Sequence, residues 1–335
     1  MSPDLEIVPS RPLVESPVDV LFRLEPGDRA LVGAGESIVA GTPLIERYRD
    51  MRLEEVTLPE GVEVAPGDRW SFGDPGEQGS VNGRRAGLAG ELLFSWRGRW
   101  RMATGDLMDP VDAPIAGIVR EVATGTGIRV QAAGRGLRGM VTLGGPSRGR
   151  LELATGPDGE LRPGGLDVGL AGTILVVGSR VDAETLTRAR AMGVRGVVVA
   201  GLSSKERRDF LASEARQKAA LHRLPAYAVL VLDGALRRPI AGPVMAALTS
   251  LAGREVAIVG DPPMLIFDEP AVAMPGPPAD LVRIRAGALA GHEGRWAGAA
   301  GLRRYAGGVH LESGRVRLGD GTTVALPLGD LERYV

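Results

Sequence analysis

Thr173-Ile174-Leu175-Val176-Val177-Gly178 is a short apolar run closed by a glycine, and Gly196-Val197-Val198-Val199-Ala200 is a second of the same kind. Between them Asp182 stands where a helix N-cap accepts backbone N–H groups, and the residues that follow to Met192 suit a helix. A second helix opens at Ser203-Ser204-Lys205-Glu206, a capping box in which Ser203 and Glu206 satisfy each other's backbone donors, and runs to about His222. Tyr227-Ala228-Val229-Leu230-Val231-Leu232 is a third strand, Pro239 to Leu251 a third helix ended by Gly253, and Glu255-Val256-Ala257-Ile258-Val259 a fourth strand. Strands apolar on both faces, alternating with amphipathic helices, predict an α/β domain over 171–270 with a parallel, doubly wound sheet.

Downstream, Pro275-Gly276-Pro277-Pro278 marks a proline-rich linker over 271–280. Val282-Arg283-Ile284-Arg285-Ala286-Gly287-Ala288-Leu289-Ala290-Gly291-His292-Glu293-Gly294-Arg295-Trp296 then reads as a strand, a tight glycine-rich turn and a second strand. Glycines in an alternating frame mark positions of positive φ or close backbone approach. Gly314 to Leu328 adds two alternating strands joined by Asp320-Gly321, a hairpin signal. The stretch 282–296 resembles the KOW motif, with Leu289 in the place of the usual aromatic and Ala288 in that of a frequent proline. The resemblance implies a C-terminal SH3-like β-barrel over 281–335 and a module that binds RNA or a protein, with no chemistry of its own. Arg283, Arg285, Gly287, Gly291, His292, Gly294, Arg295 and Trp296 are its candidate contact residues.

Upstream, residues 1–170 form a glycine-rich β region. Gly27 to Leu44 and Val111 to Val119 each place short apolar pairs between glycine turns. Both resemble the half-motifs of barrel-sandwich hybrid domains, whose carrier members modify a lysine at a hairpin tip; no lysine occurs in this region, so the carrier role does not transfer. Phe94 to Met102 alternates, which predicts one half-buried strand with Phe94, Trp96, Trp100 and Met102 on one face and Arg97, Arg99 and Arg101 on the other. Arg84, Arg85, Arg135, Arg138, Arg148 and Arg150 would extend a basic surface if the fold gathers them. The three-part order is similar to that of uncharacterised bacterial multidomain proteins, which implies architecture and no activity.

Composition narrows the function. Forty basic and forty-one acidic residues among 335 give a formal net charge of −1, so no global field points to nucleic acid. Only Lys205 and Lys218 are lysines and neither follows a glycine, which excludes a P-loop. Cysteine is absent, ruling out thiol catalysis, disulfides, iron–sulfur clusters and thiolate zinc sites. His222, His292 and His310 have no metal-ligand spacing, and no apolar run approaches a membrane span. The expectation is a cytoplasmic protein with no membrane contact, no metal and no cofactor.

In a doubly wound sheet, ligands bind beyond the carboxyl ends of the strands. Ser179, Arg180, Ser203 and Ser204 precede helix N-termini that favour an anion, and Asp233 and Asp261 suit a ribose or a metal. Helix caps and turns require the same residue types. The leading reading is a non-enzymatic binding or adaptor protein whose C-terminal barrel contacts RNA, the transcription or translation machinery, or another protein. Residues 279–335 hold eight arginines and six acids, a mild excess that leaves a protein partner at least as well supported as RNA. The alternatives are an enzyme or sensor holding a nucleotide or phosphorylated small molecule at the strand ends, and an oligomeric structural protein assembled through strand edges.

Overall fold

The computed structural model of the protein describes residues 3–25, 27–47, 52–71, 89–105, 110–220, 225–268 and 276–335. Arg84, Arg85, His222 and residues 271–275 of the expected linker lie outside these. The chain is mostly β, with several sheets. It divides into two compact units, Met1–Val20 with Ala132–Val335, and Leu21–Gln131.

The first unit contains an eight-stranded mixed sheet. Its strands are β1 (Arg135–Arg138), β2 (Val141–Gly144), β3 (Ser147–Leu153), β4 (Thr173–Val177), β5 (Gly196–Val199), β6 (Ala228–Val231), β7 (Glu255–Gly260) and β8 (Pro263–Phe267), in the order β1-β8-β7-β3-β4-β5-β6-β2. The helices are α1 (Ala183–Ala191), α2 (Ser204–Ala220) and α3 (Gly242–Ser250). Every residue of β4, β5 and β6 is buried because both faces are covered. Ile174, Val176, Val198 and Leu230 pack against Val244, Ala247 and Leu248 of α3. The alternate residues Leu175, Val177, Val197 and Val199 meet Leu186 and Ala189 of α1 and Phe210 of α2. Each such aliphatic side chain contributes roughly 1.5–3 kcal/mol relative to exposure.

Strands β3, β4, β5 and β6 are parallel, whereas β7, the fourth strand of the sequence reading, is antiparallel to β3. The wholly parallel sheet is therefore corrected to a mixed one. The cause is the placement of α3. The Ile240 N–H donates to Pro157 O and the Gly253 N–H to Leu151 O, each at 2.8 Å. The helix thus begins and ends beside the carboxyl end of β3, and the chain re-enters the sheet from that end. Apolar periodicity carries no strand direction. Likewise β1 to β3, placed by the sequence reading in the N-terminal β region, belong to this sheet; they are short or half-covered, β3 alternating buried and open, and so lack the continuous apolar run that marks β4 to β6.

The helix caps differ in one informative respect. Asp182 caps α1 by accepting from Thr185 N at 2.7 Å, and Ser203 accepts from Glu206 N at 3.2 Å. Glu206 does not return the favour to Ser203; its carboxylate accepts from Ala183 N at 2.8 Å, so it ties the first turn of α2 to that of α1.

The same unit carries a six-stranded sheet in the order Ser10–Arg11, β13, β9, β10, β11, β12, where β9 is Leu281–Ile284, β10 Glu293–Arg304, β11 His310–Leu318, β12 Thr323–Pro327 and β13 Leu331–Tyr334. The expected strand, turn and strand are present as β9, residues 285–292 and β10. The Asp320-Gly321 hairpin joins β11 to β12, with Gly321 at φ +86°. Val282, Ile284, Val316 and Leu331 form its core with Leu5 and Val8, and Leu289 and Trp296 pack against it.

In the second unit the two glycine-rich segments pair with each other. Ser37–Ile38 runs antiparallel to Gly117–Ile118, and Pro43 and Ile45 pair with Asp112 and Val111. A separate four-stranded sheet holds Arg52–Val56, Arg99–Thr104, Ala89–Trp96 and Arg69–Ser71. The single strand expected over 94–102 is corrected to a hairpin. Arg97 and Gly98 turn at φ +53° and +76°, which leaves Phe94 and Trp96 exposed while Met102 is buried. Among the described residues no helix is long and apolar enough to cross a membrane.

Two stability tests follow from this packing. A Cβ on Gly314 would lie 2.1 Å from the Trp296 ring, whereas one on Gly319 meets nothing within 4 Å. Gly314→Ala is expected to lower stability by about 1–3 kcal/mol in denaturant unfolding, with Gly319→Ala near neutral. In the second unit, burial pushes the Glu91 carboxyl up, with Arg69 and Arg29 opposing the shift and Glu46 and Asp28 adding to it. A raised acid favours folding only while protonated, so stability falls as pH rises through its shifted value. Glu91→Gln should raise the melting temperature at neutral pH, and the gain should vanish below about pH 4.

Candidate functional site

Arg283 sits in the middle of β9. Its neighbours Val282 and Ile284 enter the core of the six-stranded sheet, so alternation sends the arginine out of the opposite face, where it is buried. There it meets Asp233, two residues beyond the end of β6. The Arg283 guanidinium lies 2.8 Å from Asp233 and 3.5 Å from Glu332 of β13, and it donates to the Pro239 carbonyl at 3.1 Å. The side chains are 3%, 10% and 9% exposed. Burial alone would pull the Arg283 pKa down, but the hydrogen bond and charge of Asp233, with Tyr334 and Glu332, outweigh it and hold the group above its ordinary value. Burial also pushes the Tyr334 hydroxyl up to about 12, with Glu332 adding to the shift and Arg283 opposing it.

The cluster extends outward. Arg11 lies 3.9 Å from Asp233 and donates to the Arg138 carbonyl at 2.6 Å, and Arg285 lies 3.7 Å from Glu332. Asp233 from the strand-end set and Arg283 and Arg285 from the C-terminal set therefore belong to a single network, buried at Asp233 and Arg283. A cavity of about 390 Å³ adjoins it, lined by Arg11, Asp233, Arg238, Arg283, Arg285 and Glu332 among others.

The remaining strand-end candidates do not converge. Ser179 is buried, donating to the Asp158 carbonyl at 2.6 Å and accepting from Arg237 at 3.3 Å. Arg180 is exposed and pairs with Glu160 at 3.6 Å. Ser203 is spent on the α2 cap, Ser204 is exposed in the first turn, and Asp261 lies in the β7–β8 turn before a cis proline. Close backbone packing also fills this end of the sheet, since a Cβ on Gly201 would meet the Leu236 carbonyl at 2.2 Å.

In the C-terminal set, Arg295 pairs with Asp280, and Trp296 is half-buried in the core. The three glycines have distinct causes. Gly287 and Gly291 adopt φ of +80° and +94°, whereas a Cβ on Gly294 would meet Arg317 O and Val316 at 2.6 Å. His292 is exposed and its Nδ1 lies 3.0 Å from the Leu289 carbonyl. With Glu293 it lines a second cavity, an apolar groove of about 980 Å³ along Ile240, Met245 and Thr249. Glu293 accepts from Gly242 N at 2.7 Å, placing a carboxylate at the N-terminus of α3.

Arg11, Arg238 and Glu332 escaped the sequence reading, because residues 11, 238 and 332 carry no spacing signal and meet only through the fold. No protein-family model matches the chain and no curated protein matches it.

Removing one member of a buried ion pair leaves the other uncompensated. Arg283→Met is expected to cost about 3–5 kcal/mol in chemical denaturation, and adding Asp233→Leu should recover part of that loss.

Proposed function

We propose that this is a non-enzymatic binding protein of the cytoplasm that engages a protein partner through the outer half of its β10–β11 hairpin. The observation that carries this reading is a protruding two-stranded ribbon with exposed apolar side chains. Only residues 313–317 of β11 are covered by β12, and beyond them Leu302 pairs with Glu312, Arg303 with Leu311 and Arg304 with His310. Leu302, Val309 and Leu311 are 63%, 52% and 39% exposed. Register shifts around Ala299, with Gly298 and Gly301 at positive φ, separate this outer half from the part that packs in the core. A ribbon with apolar residues on both faces and cations beside them suits a protein surface that buries it.

The KOW-like, SH3-like reading of residues 281–335 is supported by the strand, turn and strand at β9 and β10 and by the Asp-Gly hairpin. The barrel-sandwich reading of the second unit is supported by the mutual pairing of its two glycine-rich segments. RNA is the weaker partner on charge. Arg283, Arg285 and Arg295, the arginines of the resembling motif, are each bound to a carboxylate, so a phosphate backbone would have to displace Asp233, Glu332 or Asp280.

The test compares wild type with a Leu302→Asp, Leu311→Asp variant in crosslinking capture from source cells and in anisotropy with labelled single-stranded RNA at several salt concentrations. The variant should keep its melting temperature while losing the wild-type partner by about 30-fold or more in affinity. Retention of every wild-type partner would sink the reading. Salt-sensitive RNA binding that Arg303→Ala and Arg304→Ala abolish would hand the hairpin to RNA.

A further inference from the structure

We infer that the cavity beside Asp233 is a binding site for the phosphate group of a small anion. Its volume of about 390 Å³ falls at the small end of ligand pockets. Arg11, Arg238, Arg283 and Arg285 line it against two carboxylates, Asp233 and Glu332. Those carboxylates are already shared. Asp233 serves Arg283 and Arg11, and Glu332 serves Arg283 and Arg285, at 2.8 to 3.9 Å.

Arg238 is the exception in the wall. Its stem packs on Gly291, where an added Cβ would sit 3.3 Å away, and its guanidinium has no ion pair or hydrogen bond among the described residues. Four guanidiniums thus face two carboxylates, an excess of two positive charges on a concave wall that focuses their field. A phosphate ester carries close to two negative charges at neutral pH and presents oxygens that the planar arginine fork matches in pairs. Ser10 and Gly329 also line the cavity, and Pro9, Met140 and Ala286 add apolar surface against which a small organic group can pack. Through Asp233 the site also adjoins the carboxyl end of β6. This goes beyond the partner-binding reading, because none of these residues is on the β10–β11 hairpin.

The test is calorimetric titration of the full chain at low salt with inorganic phosphate, with glycerol phosphate and, for comparison, with succinate. Saturable phosphate binding with a Kd at or below about 1 mM is expected. Arg238→Met, which keeps the stem on Gly291, and Arg285→Met, at a half-exposed side chain, should each weaken it about tenfold or more. Tighter binding of the ester assigns the apolar wall to the organic group; equal binding assigns the site to phosphate alone. The inference is overturned if wild type binds no phosphate, if both variants bind as wild type does, or if succinate binds as tightly.

Discussion

The first unit depends on one buried guanidinium. Arg283 is tolerable out of water only because three acceptors from two distant segments converge on it: Asp233 and the Pro239 carbonyl in the β6–α3 connection, and Glu332 on β13. Such a requirement is directional where apolar packing is not. Arg283 and Glu332 are direct register partners, so a one-residue slip between β9 and β13 would turn one of them into the apolar core and strand the other. The contact thereby sets the register inside the six-stranded sheet and fixes that sheet to the end of β6. A second buried arginine repeats the device, for Arg190 is held by Glu214 at 3.4 Å and by the Pro225 carbonyl at 3.1 Å. In both cases a loop carbonyl supplies the hydrogen bond that a carboxylate alone cannot.

Arginine abundance has a different meaning in three dimensions than in the composition. Arg47 grips Asp28, Arg29 pairs with Glu46, and Arg99 and Arg101 share Glu55. Arg138, Arg148 and Arg150, read from sequence as the extension of a basic surface, pair with Glu15, Glu255 and Glu152. Exposed pairs of this kind contribute little stability, typically below 1 kcal/mol each. Their larger effect is to set a carboxylate beside many of the arginines, so that these cations are not free to form one continuous basic surface.

What was legible in the sequence was what depends on short-range periodicity. The apolar runs at 173–177, 196–199 and 228–231, the cap at Asp182 and the hairpin at Asp320-Gly321 rest on neighbours within a few residues. The same signal fails where distant geometry decides. The run at 255–259 looks like its predecessors, yet it enters the sheet reversed because α3 begins and ends beside one end of β3. Alternation across 94–102 was broken by a single turn whose only mark is Gly98, preceded by an arginine forced to φ +53°. The glycines of 287–294 gave the turn correctly but concealed two causes, positive φ at Gly287 and Gly291 and close backbone approach at Gly294. Of fourteen candidate site residues in the reading, Asp233 and Arg283 matter most to each other, a pairing that no spacing of fifty residues could announce.

Where a fold satisfies most of its polar and apolar demands internally, the exceptions carry the functional argument. Two stand out in the first unit, and they differ in kind. Leu302, Val309 and Leu311 are apolar groups left in water on a ribbon that no third strand supports among the described residues. Arg238 is a charge beside a cavity whose carboxylates are already committed. The first lacks a surface to bury against and the second lacks a counter-charge, so one macromolecule need not meet both. A chain built only for rigidity would gain by shortening the ribbon or by replacing Arg238 with a neutral residue. Both features instead coexist with the costly burial of Arg283 between them in the chain. The two proposed activities fall at these two points, one for a partner and one for a small anion, because each supplies what the fold leaves unmet.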